Sequence, residues 1–276
     1  MGTWQSSALG SRENTITEQG ADQTNEPMEA EFDTVARWTA QVALQLGPEY
    51  FIPAACRGSG SPATLRWLID RLAISQSDRM LDCGAGVGGP AAFASQLTGI
   101  APVLSEPEAG ACWAARRLFG FPGVQAASEL PFKPETFTVA WSLGVLCTVR
   151  NQLQLLQELR RVLTGTGRLG LLVFVANGDL PGQVPAGNNF PSWDRLLELL
   201  AAAGFTVEAA ATEADFAAAP EEWRQRADAV HDELARRHHD DDRWLASTEQ
   251  SETIGSLLAE RHVTGTMIIA SPVPRA

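Results

Sequence analysis

The chain has 276 residues, of which 45% are apolar and 20% charged, a globular composition long enough for one elaborated domain or two ordinary ones. Thirty-three acidic residues against 21 basic ones give a formal charge of −12, which disfavours nucleic acid and anionic membranes as main partners because such a surface repels phosphates. Cys56, Cys83, Cys112 and Cys147 lack zinc spacing, no run reaches the roughly 20 apolar residues of a membrane span, and no secretory signal is seen, so no metal and a cytoplasmic location are expected.

Residues 1–28 are polar and without apolar period, which predicts a disordered tail. Phe32, Val35, Trp38, Val42 and Leu46 then recur at helical spacing. Pro53, Gly58, Gly60 and Pro62 break that pattern over Tyr50–Pro62, and Pro62 opens a second helix over 63–72, so residues 29–75 read as a helical cap. Apolar runs at 80–83, 102–104, 138–142 and 169–175 alternate with helical stretches at 90–97, 109–119 and 152–163. Such alternation predicts an α/β fold, a Rossmann-like, doubly wound and mostly parallel sheet with helices on both faces. A helix over 192–203 stops at Gly204, a strand follows at 205–209, and the last strand is expected at 265–270. Between these two strands, residues 212–263 are charged and helical in period, with Phe216, Trp223, Ala227, Val230 and Leu234 on one stripe and Ile254, Leu257 and Leu258 on another. This segment reads as a helical insertion packed against the sheet, a lid within one domain spanning residues 29–276.

The most specific local signal is Leu81-Asp82-Cys83-Gly84-Ala85-Gly86-Val87-Gly88-Gly89, between a strand and a helix. Glycines serve where the backbone turns sharply and must approach a ligand, and the helix start offers free amides. Gly84, Gly86 and Gly89 also satisfy the dinucleotide pattern G-x-G-x-x-G, so a nicotinamide-dependent oxidoreductase is one reading. Asp82 opposes it, because a carboxylate two residues before the first glycine suits a cationic ligand group better than a pyrophosphate. Glu106, 22 residues after Gly84 at the end of the second strand, suits the two hydroxyls of a ribose.

With these residues the chain resembles the class I S-adenosylmethionine-dependent methyltransferases, in particular their type 11 small-molecule group. The similarity runs from about Arg79 to Val175. Leu81–Gly89 matches the first motif, Glu106 the ribose acid, Leu130-Pro131-Phe132 with Phe137–Leu146 the "L-P-F … F-D-x-V-x-S-x-x-V-L" run, and Leu163–Leu169 the "L-x-P-G-G-x-L" turn. The resemblance implies S-adenosylmethionine as cofactor, held by Asp82, Gly84, Ala85, Gly86, Gly88, Glu106, Pro107, Glu129, Leu130 and Leu143. It implies in-line methyl transfer to an oxygen, nitrogen or carbon of a small-molecule acceptor. Three positions depart from the pattern. Ala126 and Ala127 stand where an acid would meet the adenine amine, Thr138 replaces an Asp, and Cys147-Thr148 replaces a Glu-His pair that would supply a base. These departures keep open a non-catalytic relative that only binds the cofactor.

Ligands of open α/β sheets bind beyond the strand carboxyl ends, which makes Tyr50, Cys147, Asn188 and Asn189 the acceptor-side candidates. Each has a bland alternative. Tyr50 serves equally as a structural aromatic, Cys147 as a small apolar residue, and the long loop 176–191 as a solvated connector. His231, one residue from the Val230 stripe, reads as a boundary histidine rather than a base, and His238-His239-Asp240-Asp241-Asp242 as a polar helix end. Trp113 and Trp141 read as core. No [D/N/S]-P-P-[aromatic] motif of nucleic-acid amine methyltransferases follows the fourth strand, where Ser142-Leu143-Gly144-Val145 stands.

Overall fold

In the computed structural model, which describes residues 30–127, 129–182, 184–185 and 187–274, seven segments pair into one sheet. They are β1 (Met80–Cys83), β2 (Val103–Glu106), β3 (Gly123–Gln125), β4 (Phe137–Leu143), β5 (Leu163–Ala176), β6 (Phe205–Thr212) and β7 (Val263–Pro272), in the order β3-β2-β1-β4-β5-β7-β6. β7 is antiparallel to both β5 and β6, and the remaining pairs are parallel. Burial explains the order. Met267, Ile268, Ile269 and Ala270 of β7 are all buried, as an interior strand requires, whereas β6 alternates as an edge strand does. An antiparallel β7 between β5 and β6 departs from the parallel 3-2-1-4-5-6 order of dinucleotide-binding domains and removes the structural support for the oxidoreductase reading.

The helices are α1 (Ala36–Leu46), α2 (Phe51–Ala55), α3 (Pro62–Arg71), α4 (Gly89–Thr98), α5 (Ala109–Phe119), α6 (Gln152–Val162), α7 (Trp193–Ala202), α8 (Glu221–His238) and α9 (Asp242–Ala259). Leu155, Leu156 and Leu159 of α6 and Leu196, Leu199 and Leu200 of α7 close one core with the sheet. Leu65, Leu68 and Leu72, from α3 and its end, join Phe93 of α4 and Trp141 of β4 in another. Ser61 starts α3 through a reciprocal capping box with Thr64, and Asn151 and Ser192 cap α6 and α7. None of the described helices is long and apolar enough to cross a membrane. The tail expected over residues 1–28 lies outside the described residues.

Four expectations need correction. β3 is absent from the apolar pattern because it is a three-residue edge strand with no buried residue. The stretch after Tyr50 is not wholly irregular: α2 forms there, with Pro53 in its first turn, where a missing N–H leaves no gap. Trp113 is not core but 38% exposed, with the Arg37 guanidinium over its ring. The insertion docks chiefly on the N-terminal cap rather than on the sheet, for Val230, Leu234 and Trp244 are buried in one cluster with Val35, Ala40, Val42 and Ala43. Nearer the sheet, Phe216 and Trp223 meet Trp67 and Phe93 edge to face.

The cap and insertion are also clasped at the α8–α9 turn. Trp38 lies parallel to His238 with ring centroids 3.7 Å apart, and the Arg243 guanidinium sits 5.2 Å from the Trp38 ring. Trp38→Ala is therefore expected to cost about 2 kcal/mol. It should accelerate amide exchange in α8 and α9 while leaving the sheet protected, as exchange measured by mass spectrometry would show.

Candidate functional site

At the end of β1, the amides of Gly84 and Ala85 both donate to the Ser105 carbonyl of β2, at 2.7 and 3.2 Å, and bend the chain across the sheet. Gly84, Gly86 and Gly88 all have positive φ, for different reasons. A Cβ on Gly84 would enter Val145, one on Gly88 would press on Ala115, Leu104 and Phe119, and one on Gly86 would meet nothing within 4 Å. Only Gly86 therefore opens to a ligand, while the other two let the chain pack. Gly89 has its own reason, since a side chain there would overlap the backbone of Ala55 and Cys56 at the end of α2. Ala85 points into a cluster with Ala91, Leu104 and Ala115, so only its backbone is available to a ligand.

Two carboxylates lie beneath this loop. Glu106 accepts from the Gly86 amide at 2.8 Å and from the Glu108 amide at 3.2 Å. Burial raises its carboxyl to about 7 in spite of those bonds. Asp82 is 2% exposed and its Oδ2 has no hydrogen-bond partner. Burial raises its carboxyl to about 7; the Trp141 indole lowers it without reaching hydrogen-bond geometry, and the charge of Glu106 raises it further. An unpartnered buried carboxylate is expensive unless something cationic completes it.

The other expected residues divide. Tyr50 and Val87 both pack against the apolar cluster shared by the cap and the insertion. Leu143 ends β4 in the core just before Val145, and Pro107 is exposed beyond Glu106. Leu130 is buried and both its backbone groups are taken, its amide by Glu158 at 3.0 Å and its carbonyl by Arg161 at 2.8 Å. With exposed Glu129 it borders a recess over α6. Cys147 is 1% exposed among Phe174 and Phe190, and burial pushes its thiol to about 12. The Asn189 amide donates to the Cys147 carbonyl, and Gln152 donates to the carbonyls of Leu146 and Asn189. The half-buried Asn188 and exposed Asn189 thus belong to a stitched pair of loops, and neither they nor Cys147 line the large cleft described next. Thr138 stands at the opposite end of β4, where its hydroxyl donates to Asp78 at 2.8 Å, so the missing Asp is a structural exchange.

That cleft, of about 580 Å³, lies between the cap and the insertion. Phe174 at the end of β5 contributes to its wall, together with Cys56, Arg57, Glu213, Trp223, Asp228 and His231. Cys56 joins the cleft to the glycine loop, for its backbone packs against Gly89 while the residue lines the cleft, and burial, then the charge of Asp82, push its thiol upward. Burial raises the Glu213 carboxyl. Burial followed by Arg57 lowers the His231 imidazole, against Asp232 and Asp228. The helical stripe placed His231 at a boundary but carried no signal for the Arg57 loop opposite it.

The strand order with an antiparallel last strand and a glycine loop over paired carboxylates defines the class I methyltransferase fold. Residues 81–171 match the family model described as "Methyltransferase domain". The chain is 28% identical over 121 residues to methyltransferase GfsG of Streptomyces halstedii, covering 41% of this chain and 44% of that one. It therefore spans less than half of that curated relative. Among solved structures it is similar to the [4+2]-cyclase SpnF, with TM-score 0.60, 20% identity and 77% and 80% of the two chains covered. It is also similar to geranyl diphosphate C-methyltransferase of Streptomyces coelicolor, solved with S-adenosylhomocysteine, with TM-score 0.55, 16% identity and 76% of each chain covered.

Proposed function

We propose that the chain transfers a methyl group from S-adenosylmethionine to a small-molecule acceptor. The observation that carries this is Asp82, a buried carboxylate with an unpartnered oxygen beneath an open Gly86 and beside Glu106. These residues fit the cofactor: Asp82 supplies charge for an α-ammonium group, the Gly86 backbone leaves room, and Glu106 has acceptor capacity for ribose hydroxyls. The bound cofactor supplies an electrophilic methyl carbon. The chain aligns an acceptor against it from the cleft. The net charge of −12 supports a small acceptor over nucleic acid.

Calorimetric titration with S-adenosylmethionine should give a dissociation constant in the micromolar range. No heat at millimolar ligand with folded protein would sink the proposal. The unreplaced adenine-edge acid at Ala126 and Ala127 favours a second reading, a relative that binds the cofactor without transferring its methyl, and the cyclase on the same fold supports it. Transfer of labelled methyl to any acceptor separates the two.

A further inference from the structure

We propose that the cleft between cap and insertion takes a predominantly apolar molecule through an acidic hydroxyl, a phenol or enol, and that His231 accepts the hydroxyl proton as the oxygen is methylated. This rests on the methyl-transfer reading above.

The cleft walls are largely apolar, with Phe174 from the sheet and Trp223, Val230 and Leu234 from α8 facing Pro53 and Ala54 of the cap. Such walls bind by excluding water and leave recognition to a few polar groups. Two carboxylates, Glu213 and Asp228, are matched by two guanidiniums, Arg57 and Arg224. The cleft therefore offers no net negative field to select an ammonium acceptor. His231 is set into this wall, with its ring 5.2 Å from that of Trp244 at a tilt of 44°, so α9 helps to orient it. Arg57 approaches from the cap loop, where its guanidinium donates to the Ser251 hydroxyl of α9. Asp228 and Asp232 lie on its own helix. Burial and Arg57 outweigh these two acids and hold the imidazole below its ordinary value, which favours the neutral form that can accept a proton.

A neutral amine or a carbanion needs no such group, whereas a hydroxyl must lose its proton as it attacks. In the step, the O–H proton passes to an imidazole nitrogen of His231 and an oxygen lone pair forms the bond to the methyl carbon. The carbon–sulfur bond breaks with its electron pair returning to sulfur. The products are a methyl ether, S-adenosylhomocysteine and an imidazolium that returns its proton to solvent.

The test supplies methyl-tritiated S-adenosylmethionine together with one- to three-ring phenols and the amines of the same skeletons, 1-naphthol and 1-naphthylamine among them. Label is expected on phenolic oxygen. His231→Asn and His231→Gln, both exposed substitutions, should lower kcat about 100-fold or more at pH 7 with unchanged cofactor affinity. The deficit should shrink as pH approaches the phenol's own ionisation near pH ~10. Independently of turnover, 1-naphthol added to the S-adenosylhomocysteine-loaded protein should shift the imidazole NMR signal that the variants lack. Transfer only to amines, no transfer to any phenol while the cofactor binds, or variants with wild-type rate and pH profile would each overturn the assignment of base and acceptor. Failure of cofactor binding in calorimetry would bring down the methyl-transfer reading itself, and the present proposal with it.

Discussion

Asp82→Asn is expected to weaken S-adenosylmethionine binding about 100-fold at pH 8 and, at the same pH, to stabilise the unliganded protein. Both effects follow from one buried charge. The Asp82 carboxyl is raised from 3.8 to about 7 in the fold, so between these values the native state holds a proton that the unfolded chain has released. Stability from this group is therefore complete below pH ~4 and is lost as pH rises to about 7, a loss of order a few kcal/mol. Glu106, raised from 4.5 to about 7, slopes the same way. Asparagine removes the Asp82 share, so the variant should match the wild type near pH 4 and melt higher than it above pH 7.

Ligand binding reverses the sign. A cationic ammonium pairs with ionised Asp82, so wild-type affinity should rise about tenfold per pH unit up to about 7 and then level, and the variant should lose much of that slope. Because Asp82 and Glu106 interact, the slope belongs to the pair. Calorimetry from pH 5 to 8 and thermal melts of the free proteins check both halves. A variant that is less stable than wild type at pH 8, or that binds as tightly, refutes this account.

Substitutions in the glycine loop should separate folding from binding. Gly86→Asp places a side chain in open space at a backbone angle that Asp tolerates. The melting temperature should stay within about 4 °C of wild type. Its carboxylate joins two others at the cofactor site, so binding should weaken at least about 100-fold. Gly84→Ala behaves oppositely: its Cβ enters the Val145 methyls at φ 74, for a cost of about 2–4 kcal/mol. Melting curves and calorimetry on the two purified variants check this contrast, and full cofactor affinity in Gly86→Asp would remove the loop from the binding site.

Much of the sheet and of the glycine loop was legible because its signals are local. Met80–Cys83 is a strand at the residues expected, α5 spans 109–119 as its apolar spacing required, and β6 alternates as a half-exposed strand does. The glycine loop was legible because glycine marks a backbone need, although the reason differs at Gly84, Gly86 and Gly88. β3 was not legible, since three residues carry no period. Leu130, Cys147, Asn188 and Asn189 were placed by motif and loop position. The surroundings of Leu130 and Asn189 depend on hydrogen bonds with Glu158, Arg161 and Gln152, which stand 28 to 37 residues away in sequence.

His231 shows the same boundary from the other side. Helical period puts it beside Val230, and nothing within its helix distinguishes a solvated histidine from one facing a cleft. Amino-acid order alone determined the α/β alternation, the turn chemistry of the glycine loop and the presence of Asp82 and Glu106 at strand ends, because those depend on backbone preference and short-range hydrophobic spacing. Only tertiary structure decided that β7 enters the sheet between β5 and β6, that the insertion closes on the cap, and that Arg57 and His231 share a wall. Those features arise from pairing apolar faces far apart in the chain, where the energy depends on which surfaces meet and not on the residues of either surface alone.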